Sequence, residues 1–91
     1  MVRDRRRDFD DEIVRIRVLR VPRSDKFPDG IKYAFHYGHK DGDAPILRYD
    51  NHHGDHERHS DSETATIDFP GVEALLHRFI NELPDHVSPH S

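Results

Sequence analysis

The sequence contains no cysteine. This absence excludes disulfide bonds, thiolate metal ligands and a cysteine nucleophile. It also contains no run of about 18 apolar residues, so we expect neither a membrane-spanning helix nor contact with a membrane. The first residues are charged and no apolar segment follows them, which does not fit a secretory signal. We therefore expect a cytoplasmic protein.

Apolar residues are also scarce, at 33% of the 91 residues, whereas 35% are charged. This length suits one domain, and the composition predicts a small core. The formal net charge is -4. The molecule as a whole is therefore not attracted to nucleic acid, and contact with RNA would need a local basic face.

Hydrophobic periodicity divides the chain into three parts. Residues 1–11 are almost wholly charged and are expected to form a disordered leader. Residues 12–84 are predicted to form the single domain, and residues 85–91 a flexible tail. Within the domain, alternating apolar residues predict strands at 12–21, 31–38, 45–50 and 64–69.

The domain is predicted to end in an amphipathic helix. Apolar residues recur every three or four positions from Val72 to Leu83, between Gly71 and Pro84. The pattern predicts an α+β fold, a small antiparallel sheet of about four strands with the C-terminal helix packed on one face. The opposite face of the sheet would carry Arg15, Arg17, Lys32, His36 and Arg48.

The most unusual segment is the polar stretch from Arg48 to His59, which holds four of the nine histidines. Asp, Asn and Gly residues within it are poor strand formers, so the histidines are expected at a strand end or in the loop beyond it. A rigid scaffold often presents reactive groups in such a place. The stretch is either a functional site or a very polar loop.

This segment and its surroundings resemble the TumE family. The most specific match is Tyr49-Asp50-Asn51 followed by Gly54 and the closing histidines His56 and His59. Further similarity lies in Gly30-Ile-Lys-Tyr-Ala-Phe-His-Tyr-Gly and in the helix, so that it spans about residues 12–83. The family consists of small prokaryotic proteins regarded as toxins of toxin-antitoxin pairs, encoded beside a helix-turn-helix antitoxin. The resemblance implies a growth-inhibiting module with a cognate antitoxin as its partner.

The first hypothesis for the chemistry is RNA cleavage without a metal or other cofactor. Two imidazoles near pH 7 can serve as base and acid toward a ribose 2'-OH and the 5'-oxygen leaving group. The candidate catalytic residues are His56, His59, Arg48, Tyr49 and Asp50. The candidate substrate-binding residues are Asn51, Arg58, His36, Arg15 and Arg17.

Two other hypotheses remain open. His53, His56 and His59 offer imidazole ligands for zinc or another divalent metal. Alternatively, the polar stretch is a solvated loop of an interaction protein that has no catalytic activity. A homodimer formed through exposed strand edges or the helix is compatible with each hypothesis.

Overall fold

A single antiparallel sheet of six strands, arranged in the order of the chain, forms most of the computed structural model. The structure describes residues 3–42, 44–60 and 63–87. The strands are Arg3–Phe9 (β1), Glu12–Arg20 (β2), Ile31–His39 (β3), Leu47–Asp50 (β4), Glu57–Ser60 (β5) and Glu63–Thr66 (β6). A helix, Val72–Glu82 (α1), and a short 3-10 turn, Asp85–Val87, follow them.

The α+β class is confirmed, but the prediction of about four strands is wrong. β1 occupies residues that were expected to be a disordered leader, and β5 lies in the stretch that was expected to be a loop. Both strands are rich in charged residues, so neither shows the hydrophobic alternation from which the other strands were predicted. Their order comes from backbone pairing with β2 and β4 instead.

The predicted tail begins with an ordered turn. Val87, at the end of the 3-10 turn, is only 1% exposed and packs into the core. Residues 88–91 lie outside the part of the chain that the structure describes. None of the described helices has the length and apolar composition needed to cross a membrane.

The core lies between α1 and one face of the sheet. Side chains alternate between the two faces of a strand, and Tyr33, Phe35 and Tyr37 of β3 all point to the helix side. Phe79 of α1 packs between Phe35 and Tyr49, with ring centroids 5.7 and 5.6 Å away. Each fully buried side chain of this size contributes about 1.5–3 kcal/mol by leaving water. The aromatic residues of β3 and β4 therefore fix the helix against the sheet.

The other face of the sheet, which we call the open face, is covered by no helix within the described ranges. Arg15 and Arg17 point to it, as predicted, because Val14 and Val18 point to the core. Paired residues on neighbouring strands share a face. The open face therefore collects polar side chains from β2 to β6.

Candidate functional site

Two histidines flank an arginine on the open face. His36 of β3 pairs with Arg48 of β4, and Arg48 pairs with His59 of β5. Arg15 of β2 pairs with His36 from the other side. We call these four residues the transverse row. Since adjacent strands lie about 4.8 Å apart, the Cα atoms of His36 and His59 are separated by about 10 Å.

The carboxylate of Asp50 links two members of this row. Its Oδ2 accepts a hydrogen bond of 2.8 Å from Nε of Arg48 and lies 3.3 Å from Nε2 of His59. Its Oδ1 accepts a bond of 3.3 Å from the backbone N–H of His52. The side chain of Asp50 is only 5% exposed. Asp50 thus holds the guanidinium by a hydrogen bond and places a carboxylate beside the imidazole.

The second nitrogen of His59 faces an exposed hydroxyl. Nδ1 lies 3.0 Å from Oγ1 of Thr64, the residue that pairs with His59 on β6. The Asp50 carboxylate favours the tautomer with hydrogen on Nε2, in which Nδ1 accepts a hydrogen bond from the Thr64 hydroxyl. Because Thr64 is exposed, a substrate oxygen can take its place at Nδ1.

His36 has a different environment. Its ring is half-buried, and Nδ1 is buried without a hydrogen-bond partner among the described residues. Burial, and then the positive charge of Arg48, lower the pKa of His36 below its usual value of 6.5. His36 is therefore neutral at pH 7. The ring lies beside Gly38, where a Cβ atom would be 3.1 Å from Nε2.

A groove of about 500 Å³, which we call the basic groove, runs along the open face beside the transverse row. Among the described residues it is lined by no carboxylate. Its charged and imidazole lining residues are Arg15, Arg17, Lys32, Lys40, Arg48, His36, His39 and His52. The local basic face that an acidic molecule needs for binding RNA is therefore present.

A shallower pocket adjoins the basic groove. It contains Arg48, Asp50, His52, His53 and His59, so Arg48 and His52 line both cavities. The only carboxylate among these five residues is the one already bonded to Arg48. A polyanion lying in the basic groove would therefore contact His36 and Arg48, and it would reach His59 by extending into the adjoining pocket.

Asp4 of β1 makes exchangeable ion pairs with two arginines of the basic groove. Asp4 lies 3.3 Å from Arg15 and 3.8 Å from Arg17. The three side chains are between 39% and 44% exposed. Exposed pairs of this kind contribute little to stability, so a phosphate can replace the Asp4 carboxylate.

Three of the predicted site residues lie on the helix side of the sheet instead. Tyr49 is 0% exposed and its hydroxyl donates to Glu82, which also accepts a bond of 3.1 Å from Arg58. Nδ1 of His56 lies 2.9 Å from the Tyr33 hydroxyl. The structure therefore does not bring Tyr49, His56 and Arg58 together with His59.

The ring of His56 is part of an aromatic stack. Its centroid lies 4.3 Å from that of Phe69, with 7° between the planes, and 5.7 Å from that of Tyr33. Burial lowers the pKa of His56, while Asp29 and Asp55 oppose this effect. The half-buried ring of His56 thus packs on the helix side of the sheet.

The side chain of Asn51 is also used structurally. Its Nδ2 donates to the Ile31 carbonyl at 2.8 Å, and its Oδ1 accepts from the Tyr33 N–H at 2.9 Å. Asn51 is 4% exposed. Its amide continues the β3–β4 pairing beyond the last residue of β4. Because both the oxygen and the nitrogen of the amide are already bonded, little hydrogen-bonding capacity remains for a substrate.

The three histidines considered as metal ligands do not converge, because His56 lies on the helix side. Among the residues that the structure describes, the side chains that do converge are Asp50, Glu57 and His59, whose potential ligand atoms lie within 4.8 Å of one another. Carboxylate oxygen and imidazole nitrogen suit zinc. A cation at this position would have to compete with Arg48, which already donates to Asp50.

Sequence reasoning missed His52, Glu57 and Thr64 as components of the site. Glu57 and Thr64 reach it because β5 and β6 pair with β4 in register. The signal that could have revealed them is the alternation of Glu57 and His59 with Arg58 and Ser60. All four residues are polar, so the segment shows no hydrophobic alternation and was not predicted to be a strand.

A family model described as Toxin TumE matches residues 2–87, a range that includes the whole transverse row and Asp50. No curated protein and no solved structure matches the chain.

Proposed function

The chain belongs to the TumE toxin family, and we propose that it inhibits growth by cleaving RNA on the open face of its sheet without a metal ion. A toxin of this kind is paired with an antitoxin. The observation that carries the proposal is the placement of His36 and His59 on either side of Arg48, with Asp50 in contact with both Arg48 and His59. The adjoining basic groove supports a polyanionic substrate.

His36 is the proposed general base. It is neutral near pH 7 because its pKa is lowered, so it can accept the proton of a ribose 2'-OH. The 2'-oxygen then forms a bond to the adjacent phosphorus. Arg15 and Arg48, the cross-strand neighbours of His36, lie where they would bind the phosphate being attacked.

Arg48 and His59 are proposed to complete the reaction. Arg48 is oriented through Nε by Asp50, and its terminal nitrogens make no side-chain hydrogen bond with the described residues, so they can stabilise charge on the phosphorane. Protonated His59 donates its Nδ1 proton to the 5'-oxygen as the phosphorus–oxygen bond breaks. The products are a 2',3'-cyclic phosphate and a 5'-hydroxyl.

The basic groove is the proposed binding site for the rest of the RNA. Arg15, Arg17 and Lys32 would contact phosphates along the RNA strand. Such contacts supply affinity but do not distinguish one RNA sequence from another. We place this activity in the cytoplasm, where the RNA of a prokaryotic cell is found. We also propose that the antitoxin is of the helix-turn-helix type, as the family resemblance implies, and that a homodimer would form through the edge strands β1 and β6.

A metal-binding protein is the second candidate. It is supported by the proximity of Asp50, Glu57 and His59. A divalent ion there would displace Arg48 from Asp50 and bind the nitrogen of His59 that faces Asp50. A metal at this site is therefore incompatible with the arrangement proposed for metal-free cleavage.

One experiment separates these functions. The purified protein is incubated with RNA in excess EDTA, and the ends of the products are identified. We expect cleavage that leaves 2',3'-cyclic phosphates and that falls about 10²–10⁴-fold in His59→Ala, the range for loss of a general acid. His77→Ala is the control, because His77 is exposed on α1. Cleavage that requires an added metal would favour the second candidate, and no cleavage under either condition would overturn the nuclease.

A further inference from the structure

A second groove lies on the helix side of the sheet, between β1 and α1. It has a volume of about 280 Å³. Its floor is apolar and is formed by Val14, Ile16, Leu76, Ile80, Leu83 and Val87. Arg3, Arg5, Arg6 and Arg7 of β1 line its rim. We call this cavity the arginine-rimmed groove.

The rim follows from the register of β1 on β2. Arg5 pairs with Ile16 and Arg7 pairs with Val14, so both guanidiniums lie on the face that the apolar residues of β2 occupy. Arg3, which pairs with Val18, lies in the same row. An exposed edge strand thus places three cations above an apolar surface.

Charges on β1 are segregated between its two faces. The two acidic residues of the strand, Asp4 and Asp8, point to the open face, where they contact Arg15 and Arg6. On the helix side, Arg3 is paired with Glu73 at 3.0 Å. Arg5 and Arg7 are exposed and make no ion pair with any residue of the described ranges. Two adjacent cations beside an apolar floor therefore remain available to a partner.

We infer that the arginine-rimmed groove is the docking site of the antitoxin, for a segment in which carboxylates flank aliphatic side chains. This inference rests on the toxin role within the proposed function, but not on RNA cleavage. Aliphatic side chains would fill the floor between β1 and α1, and carboxylates would form bidentate bonds with Arg5 and Arg7. Nucleic acid would gain nothing from the apolar floor, which favours a protein partner.

The docking site and the transverse row use opposite faces of the sheet. β1 connects them, because its Asp4 contacts Arg15 and Arg17 of the basic groove. A partner seated on β1 lies at the edge of the basic groove without contacting His59. Binding of the antitoxin should therefore be separable from catalysis by mutation.

The test uses the purified protein and the purified product of the neighbouring reading frame. We expect Arg5→Glu with Arg7→Glu to weaken their complex about 100-fold, since each charge-assisted bond contributes about a factor of ten. Arg5→Ala with Arg7→Ala should weaken it less. Arg20→Glu is the matched control, an exposed arginine at the end of β2 that does not line the groove. Co-expressed antitoxin should then fail to protect cells from the Arg5 and Arg7 variants.

Other results would overturn the inference. One is a wild-type affinity in the Arg5→Glu, Arg7→Glu variant together with loss of binding in Arg15→Glu, Arg17→Glu, which would place the antitoxin in the basic groove. Another is the absence of any complex with the wild-type protein. If the complex depends on Arg5 and Arg7 but the protein cleaves no RNA, the docking site stands and the nuclease fails.

Discussion

His56 and His59 lie on opposite faces of one sheet, although only two residues separate them in the chain. His56 bonds to the Tyr33 hydroxyl at 2.9 Å on the helix side, whereas His59 lies 3.3 Å from Asp50 on the open face. Alternation along a strand produces this separation. One histidine therefore belongs to the half-buried aromatic stack on the helix side and the other to the candidate site.

Replacing His56 should affect stability rather than chemistry. In His56→Ala the hydroxyl of Tyr33, a residue only 1% exposed, loses its partner, which should lower the free energy of unfolding by about 1–3 kcal/mol. Urea denaturation measures this change. In a Tyr33→Phe background the same substitution should lower the free energy of unfolding by less, because no hydroxyl is left unpaired. An equal loss of unfolding free energy in both backgrounds would contradict the hydrogen bond between His56 and Tyr33.

A methyl group at position 38 should displace His36 without removing it. A Cβ atom there would lie 3.1 Å from Nε2 of His36, so the ring must shift by a few tenths of an ångström. A small misplacement of a catalytic group can reduce the rate by up to about 10²-fold. We expect Gly38→Ala to slow RNA cleavage while its urea midpoint stays near that of the wild type. An unchanged rate would argue against His36 as the base.

The affinity for RNA should depend on salt through the basic groove. Replacing Arg15 and Arg17 with Gln removes two proposed phosphate contacts, which should reduce the slope of log affinity against log salt by about 2. Arg20→Gln, an exposed arginine of β2 outside the groove, is the control. Fluorescence anisotropy with labelled RNA at several salt concentrations gives both slopes. Identical slopes would place the RNA elsewhere.

Stability should fall as the solution becomes acidic. Burial lowers the pKa of His36, His52 and His56 below 6.5. Below pH 6.5 the unfolded chain therefore binds more protons than the folded one, and the free energy of unfolding decreases. Urea denaturation at about pH 7 and at about pH 5.5 measures the difference. Greater stability at the lower pH would contradict the burial of these rings.

The sequence predicts the central part of the fold well, because hydrophobic alternation is strong there. Val14 and Val18 face the core while Arg15 and Arg17 face the other side, as expected. The helix begins after Gly71 and ends before Pro84, as its periodicity indicates. β1 could not be predicted in this way, since arginines rather than apolar residues occupy its helix-facing positions Arg3, Arg5 and Arg7, and only Phe9 at its end is apolar.

The candidate site was predicted less completely, because it depends on cross-strand register. His36, Arg48, Asp50 and His59 were all named from the sequence, but the histidines after the strand at 45–50 were expected at its end or in the loop beyond it, and no strand was predicted at residues 57–60. Because residues 57–60 form a strand, His59 lies next to Arg48, and His56 lies on the opposite face of the sheet. No local pattern distinguishes these two histidines.

The most direct test of the account is the rate of RNA cleavage by four purified variants in excess EDTA. His36→Ala and His59→Ala should each reduce the rate by about 10²–10⁴-fold. His53→Ala and His56→Ala should retain most of the wild-type rate once it is corrected for the folded fraction. If His56→Ala abolishes cleavage while His59→Ala leaves it intact, the open face does not carry the chemistry.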